Sequence, residues 1–145
     1  MKIEQPKDFR SAHLRLIWNR NFGSVQTEKL IRVQKYIDES CIKLMLPYTP
    51  MLTGKMIQSA TNGTVIGSGL IRYLSPYARY QYYGKLMVSR LTGSSYARHG
   101  ESKVLTGKPL RHQTSKQPHA GAMWFERMKA DKKVQILQGA RRLLR

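Results

Sequence analysis

The sequence predicts an α+β fold: a small antiparallel sheet packed against a long helix and a C-terminal helix, with a long loop or hairpin arm. Apolar residues recur at three- and four-residue steps between Thr27 and Leu46 and again after Ala122, the spacing of helices with one buried face. Between these stretches, short apolar runs flank glycine-rich turns, the pattern of paired strands.

Asp8 to Arg20 reads as a short amphipathic helix, with Phe9, Leu14, Ile17 and Trp18 on one side, inside an N-terminal extension of residues 1–24. Asn21-Phe22-Gly23-Ser24 is a turn signal. Thr27 is placed to cap the first strong helix, whose seam is Leu30, Val33, Ile37, Cys41, Leu44 and Met45; Pro47 and the restriction it puts on Leu46 end it. Lys29, Arg32, Lys35, Asp38 and Glu39 fall on other faces.

Pro47 to Gly54 is an extended, twice proline-kinked connection into Lys55–Ala60, expected as a first strand. Asn62-Gly63 signals a turn. Thr64–Ile66 and Leu70–Tyr73 around Gly67-Ser68-Gly69 read as a hairpin, the centre of the sheet. Tyr77 to Gly84 fits either a helical turn or an extended run, and Leu86-Met87-Val88 a further strand. From Ser89 to Pro118 the chain is rich in Gly, Ser and basic residues and poor in apolar anchors. A stretch that long in a small domain is usually functional, so 89–118 is expected to be a contact arm, mobile in the isolated subunit. The last helix begins near Ala122, is weakened by Gly139, and ends on Arg141, Arg142 and Arg145, which complement its dipole.

At 145 residues with 41% hydrophobic content, the chain is the size of one domain with one core. No apolar run approaches the roughly 20 residues that span a bilayer, and the N-terminus lacks the apolar segment of a signal peptide. An intracellular protein without membrane contact is expected. The one cysteine, Cys41, reads as a small buried hydrophobe.

Charge is the strongest compositional feature: 26 Lys and Arg against 8 Asp and Glu give +18. The excess is spread along the chain, and no carboxylate lies between Glu39 and Glu101. Charge of this density points to a polyanion or an acidic protein surface. No base-reading signature accompanies it, so contact with nucleic acid would be to phosphates.

Catalytic patterns do not emerge. His13, His99, His112 and His119 are scattered, without the spacing of metal ligands or nearby carboxylates to orient them. No nucleophile elbow is present, and a metal-dependent nuclease would need a carboxylate cluster that the acid-free middle of the chain lacks. No enzyme, metal or cofactor is expected.

The densest signal is Tyr73-Leu74-Ser75-Pro76-Tyr77-Ala78-Arg79-Tyr80-Gln81-Tyr82-Tyr83-Gly84, with five tyrosines in twelve residues. Tyrosine offers large amphipathic contact area at low entropic cost, which suits a subunit interface. The same residues can pack a core, with Tyr73 and Tyr77 inward and Tyr80, Tyr82 or Tyr83 outward, or stack on single-stranded nucleic acid. Gly84 is expected to supply a turn that admits no side chain. Two further blocks flank this one: Pro47-Tyr48-Thr49-Pro50-Met51-Leu52-Thr53-Gly54-Lys55, and Pro118-His119-Ala120-Gly121-Ala122-Met123-Trp124-Phe125-Glu126-Arg127-Met128. In the second, Trp124, Phe125 and Met128 are the expected anchors of the last helix.

In their order and spacing, from about Thr27 to Arg142, the three blocks resemble the minor capsid, or tail-completion, proteins in the head-to-tail neck of long-tailed bacteriophages. The resemblance implies that Thr53 and Gly54 set the turn into the sheet. Many relatives place an aspartate before that Thr-Gly pair, where this chain has Leu52. It also implies a structural virion protein: a homo-oligomeric ring of about six or twelve copies, closed by a head-to-tail interface. The ring would join the head-side connector or stopper to the tail end and surround the passage of double-stranded DNA. The expected interface residues are Tyr77, Arg79, Tyr80, Tyr82, Tyr83, Thr53 and Gly54. Arg90, Arg98, Lys103, Lys108, Arg111 and Lys116 are expected to face the DNA lumen or acidic neighbours. The competing reading, from charge and tyrosines alone, is a free-standing nucleic-acid-binding protein without sequence preference.

Overall fold

In the computed structural model, which describes residues 2–145, those residues form four α-helices, four short strands and one 3-10 turn in an α+β arrangement. A minimal hairpin, β1 (Phe9–Arg10) and β2 (Arg15–Leu16), precedes the long helix α1 (Phe22–Met45), which runs into a single 3-10 turn at Leu46–Tyr48. Then come α2 (Lys55–Gly63), α3 (Ala78–Tyr83), the antiparallel pair β3 (Lys85–Ser89) and β4 (Lys103–Pro109), and the C-terminal helix α4 (Trp124–Leu144).

The two long helices carry the core. Val33, Cys41 and Met45 are buried on α1, and Trp124, Met128, Ile136 and Ala140 on α4. Four-residue spacing on both helices lets one ridge of side chains seat along the other. The helices run antiparallel: the Lys29 Nζ at one end of α1 reaches the Leu144 carbonyl, while the Tyr48 hydroxyl just past its other end donates to Asp131 at 2.6 Å. Ile71, Tyr73, Met56 and Tyr82 close the cluster around Trp124.

The α+β class and the two long helices hold, but in place of one sheet across those helices there are two separate two-stranded ones, with β3–β4 packed chiefly beside α3, and they lie elsewhere in the chain than the sequence indicates. Lys55–Ala60 is not a strand; it is most of α2. Gly54, at φ 81°, turns the chain into the helix, and Met56 and Ala60, four residues apart, face the core. Thr64–Ile66 and Leu70–Tyr73 pair in no sheet. The amides of Gly67 and Gly69 instead donate to the Asp38 carboxylate on α1 at 2.7 and 3.1 Å, and the Arg72 amide donates to the Thr64 hydroxyl. Polar side chains thereby take the backbone groups that a strand ladder would have used. The strand expected at Leu86–Val88 is present within β3.

The helix expected over Asp8–Arg20 is a hairpin. Asp8 accepts the Trp18 amide and the Ser11 hydroxyl accepts the Leu14 amide, a side-chain competition of the kind that disfavours helix. Thr27 is inside α1 rather than at its cap. Its hydroxyl donates to the Gly23 carbonyl and accepts the Ile3 amide, while Gln5 supplies the oxygen for the Gly23 amide. The start of α1 is thus held by residues outside the helix, satisfying donors that its own sequence leaves open.

Candidate interaction surface

Six residues make α3 too short to persist alone, so its position depends on the chain around it. The Met123 amide donates to the Tyr82 carbonyl at 2.7 Å, His112 Nε2 bonds the Gln81 carbonyl at 2.8 Å, and the Leu110 amide donates to the Gly84 carbonyl at 2.8 Å. Gly84, at φ 63°, ends the helix as expected, and a Cβ there would lie 2.9 Å from that of Ala122. Met123 adopts φ 52°, a conformation that costs a non-glycine residue energy, and turns the chain so that Trp124 enters the core. Trp124 then receives Tyr73 and Tyr82 edge-on, with ring centroids 5.6 and 4.8 Å away. Edge-to-face stacking adds to the burial of these rings.

Held this way, α3 is a ridge between three depressions. The first, of about 550 Å³, is lined by Ile37, Cys41, Met45, Tyr73, Tyr82 and Phe125 among others and is mostly apolar. The second lies against Thr53, Gly54, Tyr77, Gln81 and Arg111, and the third between Arg79, Tyr80, Tyr83 and Lys85. The five interface candidates on α3 and its N-cap therefore meet at one place, and Thr53 and Gly54 join them across the second depression.

Their orientations differ from the expected split. Tyr77 points outward, at 61% exposure, rather than into the core. Tyr82 is half-buried against Trp124 instead of facing out. Tyr73 is inward and Tyr83 outward, as expected, and Tyr80 is half-buried at the rim of the third depression. Burial raises the phenol pKa of Tyr73 and of Tyr82, and the Glu126 carboxylate adds to the shift at Tyr82.

The basic candidates split into two groups. Arg90, Arg98, Lys108 and Arg111 are exposed, with Arg111 at the second depression. The amines of Lys103 and Lys116 are engaged by the chain itself, donating to the Ser95 and Leu52 carbonyls at 2.7 and 2.8 Å. Of the anchors, Trp124 and Met128 are fully buried, while Phe125 is half-buried and lines the first depression.

Several of the few carboxylates are engaged by neutral donors rather than by cations. Asp38, only 3% exposed, binds two backbone amides and the Gln34 side chain. Asp8 takes the Trp18 amide, Asp131 the Tyr48 hydroxyl, and Glu101 the Ser89 hydroxyl and Arg98 amide. Among the described residues the one salt bridge is Lys129 to Glu126. Four of the chain's 8 acids thus hold backbone or hydroxyl groups, and among the described residues the basic side chains are left almost without carboxylate partners. Asp38 is the structural carboxylate that periodicity misses, since it sits beside the apolar seam of α1. The signal that could have found it is the Gly67-Ser68-Gly69 turn, whose free amides need an acceptor.

Among the described residues, no group of three or more His, Cys, Asp or Glu side chains converges as a metal site, and no helix is long and apolar enough to cross a membrane. Compared with known protein families, curated proteins and solved structures, the chain has no match.

Proposed function

We propose that the chain is a structural subunit of a bacteriophage neck, one copy in a ring of about six or twelve that joins the head-side connector to the tail and surrounds the DNA passage. The observation that carries this reading is the combination of a tyrosine-ridged, apolar surface on α3 with a surface on which 26 basic side chains outnumber 8 carboxylates and, among the described residues, one ion pair forms. The first suits contact between protein subunits; the second suits neighbours or cargo that are acidic. The three sequence blocks that resemble neck proteins support it too, because they meet around α3: Gly121 donates to the Tyr48 carbonyl and Met123 to that of Tyr82. Phosphate contacts carry no sequence information, so a basic lumen tolerates any genome. A conditional null of the gene tests the proposal. Filled heads and finished tails accumulate unjoined if it is correct, and normally joined particles would refute it.

The excess of unpaired cations favours one second reading, a free-standing nucleic-acid-binding protein. That protein would bind duplex DNA tightly as an isolated chain, with an affinity that falls steeply as salt rises. The neck subunit binds it weakly under the same conditions.

A further inference from the structure

Residues 89–118 are not a bare loop. Ser89 pairs with Lys103 at the end of the β3–β4 ladder, and the connection between them closes on the Ser89 side chain, which is 1% exposed. The Ser89 hydroxyl donates to Glu101 at 2.9 Å and accepts the Leu91 and Thr92 amides at 3.2 and 3.3 Å. Glu101 also accepts the Arg98 amide, the Ser89 amide donates to the Ser94 carbonyl, and Lys103 ties down the Ser95 carbonyl. This internal network leaves two large side chains with no packing of their own: Leu91 is 80% and Tyr96 87% exposed. Beside them stand the exposed cations Arg90 and Arg98. The one carboxylate of the segment, Glu101, is already taken by the loop.

We infer that this hairpin tip is a preorganised docking element for an acidic protein surface, with Leu91 and Tyr96 as its apolar anchors and Arg90 and Arg98 as its charge contacts. An aromatic and an aliphatic anchor held by a rigid loop bind with little loss of entropy. Charge complementarity fixes the sign of the partner, because the tip offers cations and no free carboxylate. Duplex DNA fits less well: phosphates engage the arginines but give a leucine nothing to bury against. In the neck reading, on which the partner's identity rests, the acidic surface belongs to an adjacent connector or tail-end protein.

The test titrates the full chain with two probes, a random copolymer of glutamate and tyrosine and a short double-stranded DNA. Both anchors are exposed, so a Leu91→Ala/Tyr96→Ala variant melts like the parent. Its binding to the copolymer is expected to fall about tenfold while its binding to DNA changes less than about twofold. Ser89→Ala, which weakens the loop network without changing the charge or removing a displayed side chain, is expected to weaken copolymer binding as well. Parent-like copolymer binding by the double variant overturns the proposal, as does a parent that fails to bind the copolymer. An equal loss on DNA also overturns it and assigns the tip to nucleic acid. None of these results depends on whether the chain is found in virions, so the docking element and the neck reading fail separately.

Discussion

Gly139 of α4 lies directly against the ring of Tyr36 on α1, so close that a Cβ at position 139 would overlap the phenol. A glycine inside a helix usually weakens it by roughly 0.5–1 kcal/mol relative to alanine. Here it lets the two long helices approach near the end of the core. Gly139→Ala therefore forces the half-buried Tyr36 ring aside and is expected to destabilise the protein by up to about 1 kcal/mol despite alanine's better helix propensity. Denaturant unfolding checks this, and adding Tyr36→Ala should recover part of the loss. An additive double variant would mean that the two residues are not coupled.

The Asp38 carboxylate is the peg that fastens the 67–69 turn to α1. Asp38→Ala leaves the Gly67 and Gly69 amides without their acceptor and is expected to cost about 1–3 kcal/mol. Hydrogen exchange at these two amides should accelerate well beyond that of the rest of the molecule. Unchanged protection at both would contradict the assigned role.

Alkaline pH should destabilise the fold in steps. Burial, with the Asp38 carboxylate adding to it, holds the Cys41 thiol above its ordinary 9.0, and burial holds Tyr73 and Tyr82 above 10.0. Each group binds its proton more tightly folded than unfolded. Its contribution is complete below the unfolded pKa and is lost as pH rises through the folded one. Melting temperatures measured from pH 8 upward should begin to fall above about pH 9, and the Cys41→Ala variant should begin its decline later than the parent.

Met123, at φ 52°, pays for the entry of Trp124 into the core with backbone strain. Met123→Gly relieves that strain and should be neutral or stabilising by up to about 1 kcal/mol despite the lost side chain. Trp124→Ala, by contrast, removes the ring on which Tyr73 and Tyr82 pack and should cost about 3–5 kcal/mol. Thermal unfolding of the two variants separates these outcomes.

Helical periodicity made α1, α4 and the anchors Trp124 and Met128 legible in the sequence, because a four-residue seam is a local signal that tertiary contacts reinforce. The elements that went astray are those decided at a distance. Lys55–Ala60 has no feature that chooses helix over strand until Gly54 sets the entry angle and Met56 meets the core. The 67–69 turn reads as a hairpin unless one knows that Asp38, twenty-nine residues earlier, takes the Gly67 amide. The tyrosine block stood out in composition, but its orientation was not legible: which ring turns inward depends on where Trp124 arrives from the far end of the chain. The ordered hairpin tip was hidden because Ser89 and Glu101 look like ordinary loop residues until they meet.

The central claim is that copies of this chain form a ring with the α3 ridge at their boundaries. A cryo-electron reconstruction of the virion neck tests it most directly. The account predicts a closed ring between head and tail, with Tyr77, Arg79 and Tyr83 of one copy packed against the next and exposed arginines turned toward DNA or acidic neighbours. A neck that lacks the chain, or a ring in which α3 faces solvent in every copy, would contradict it.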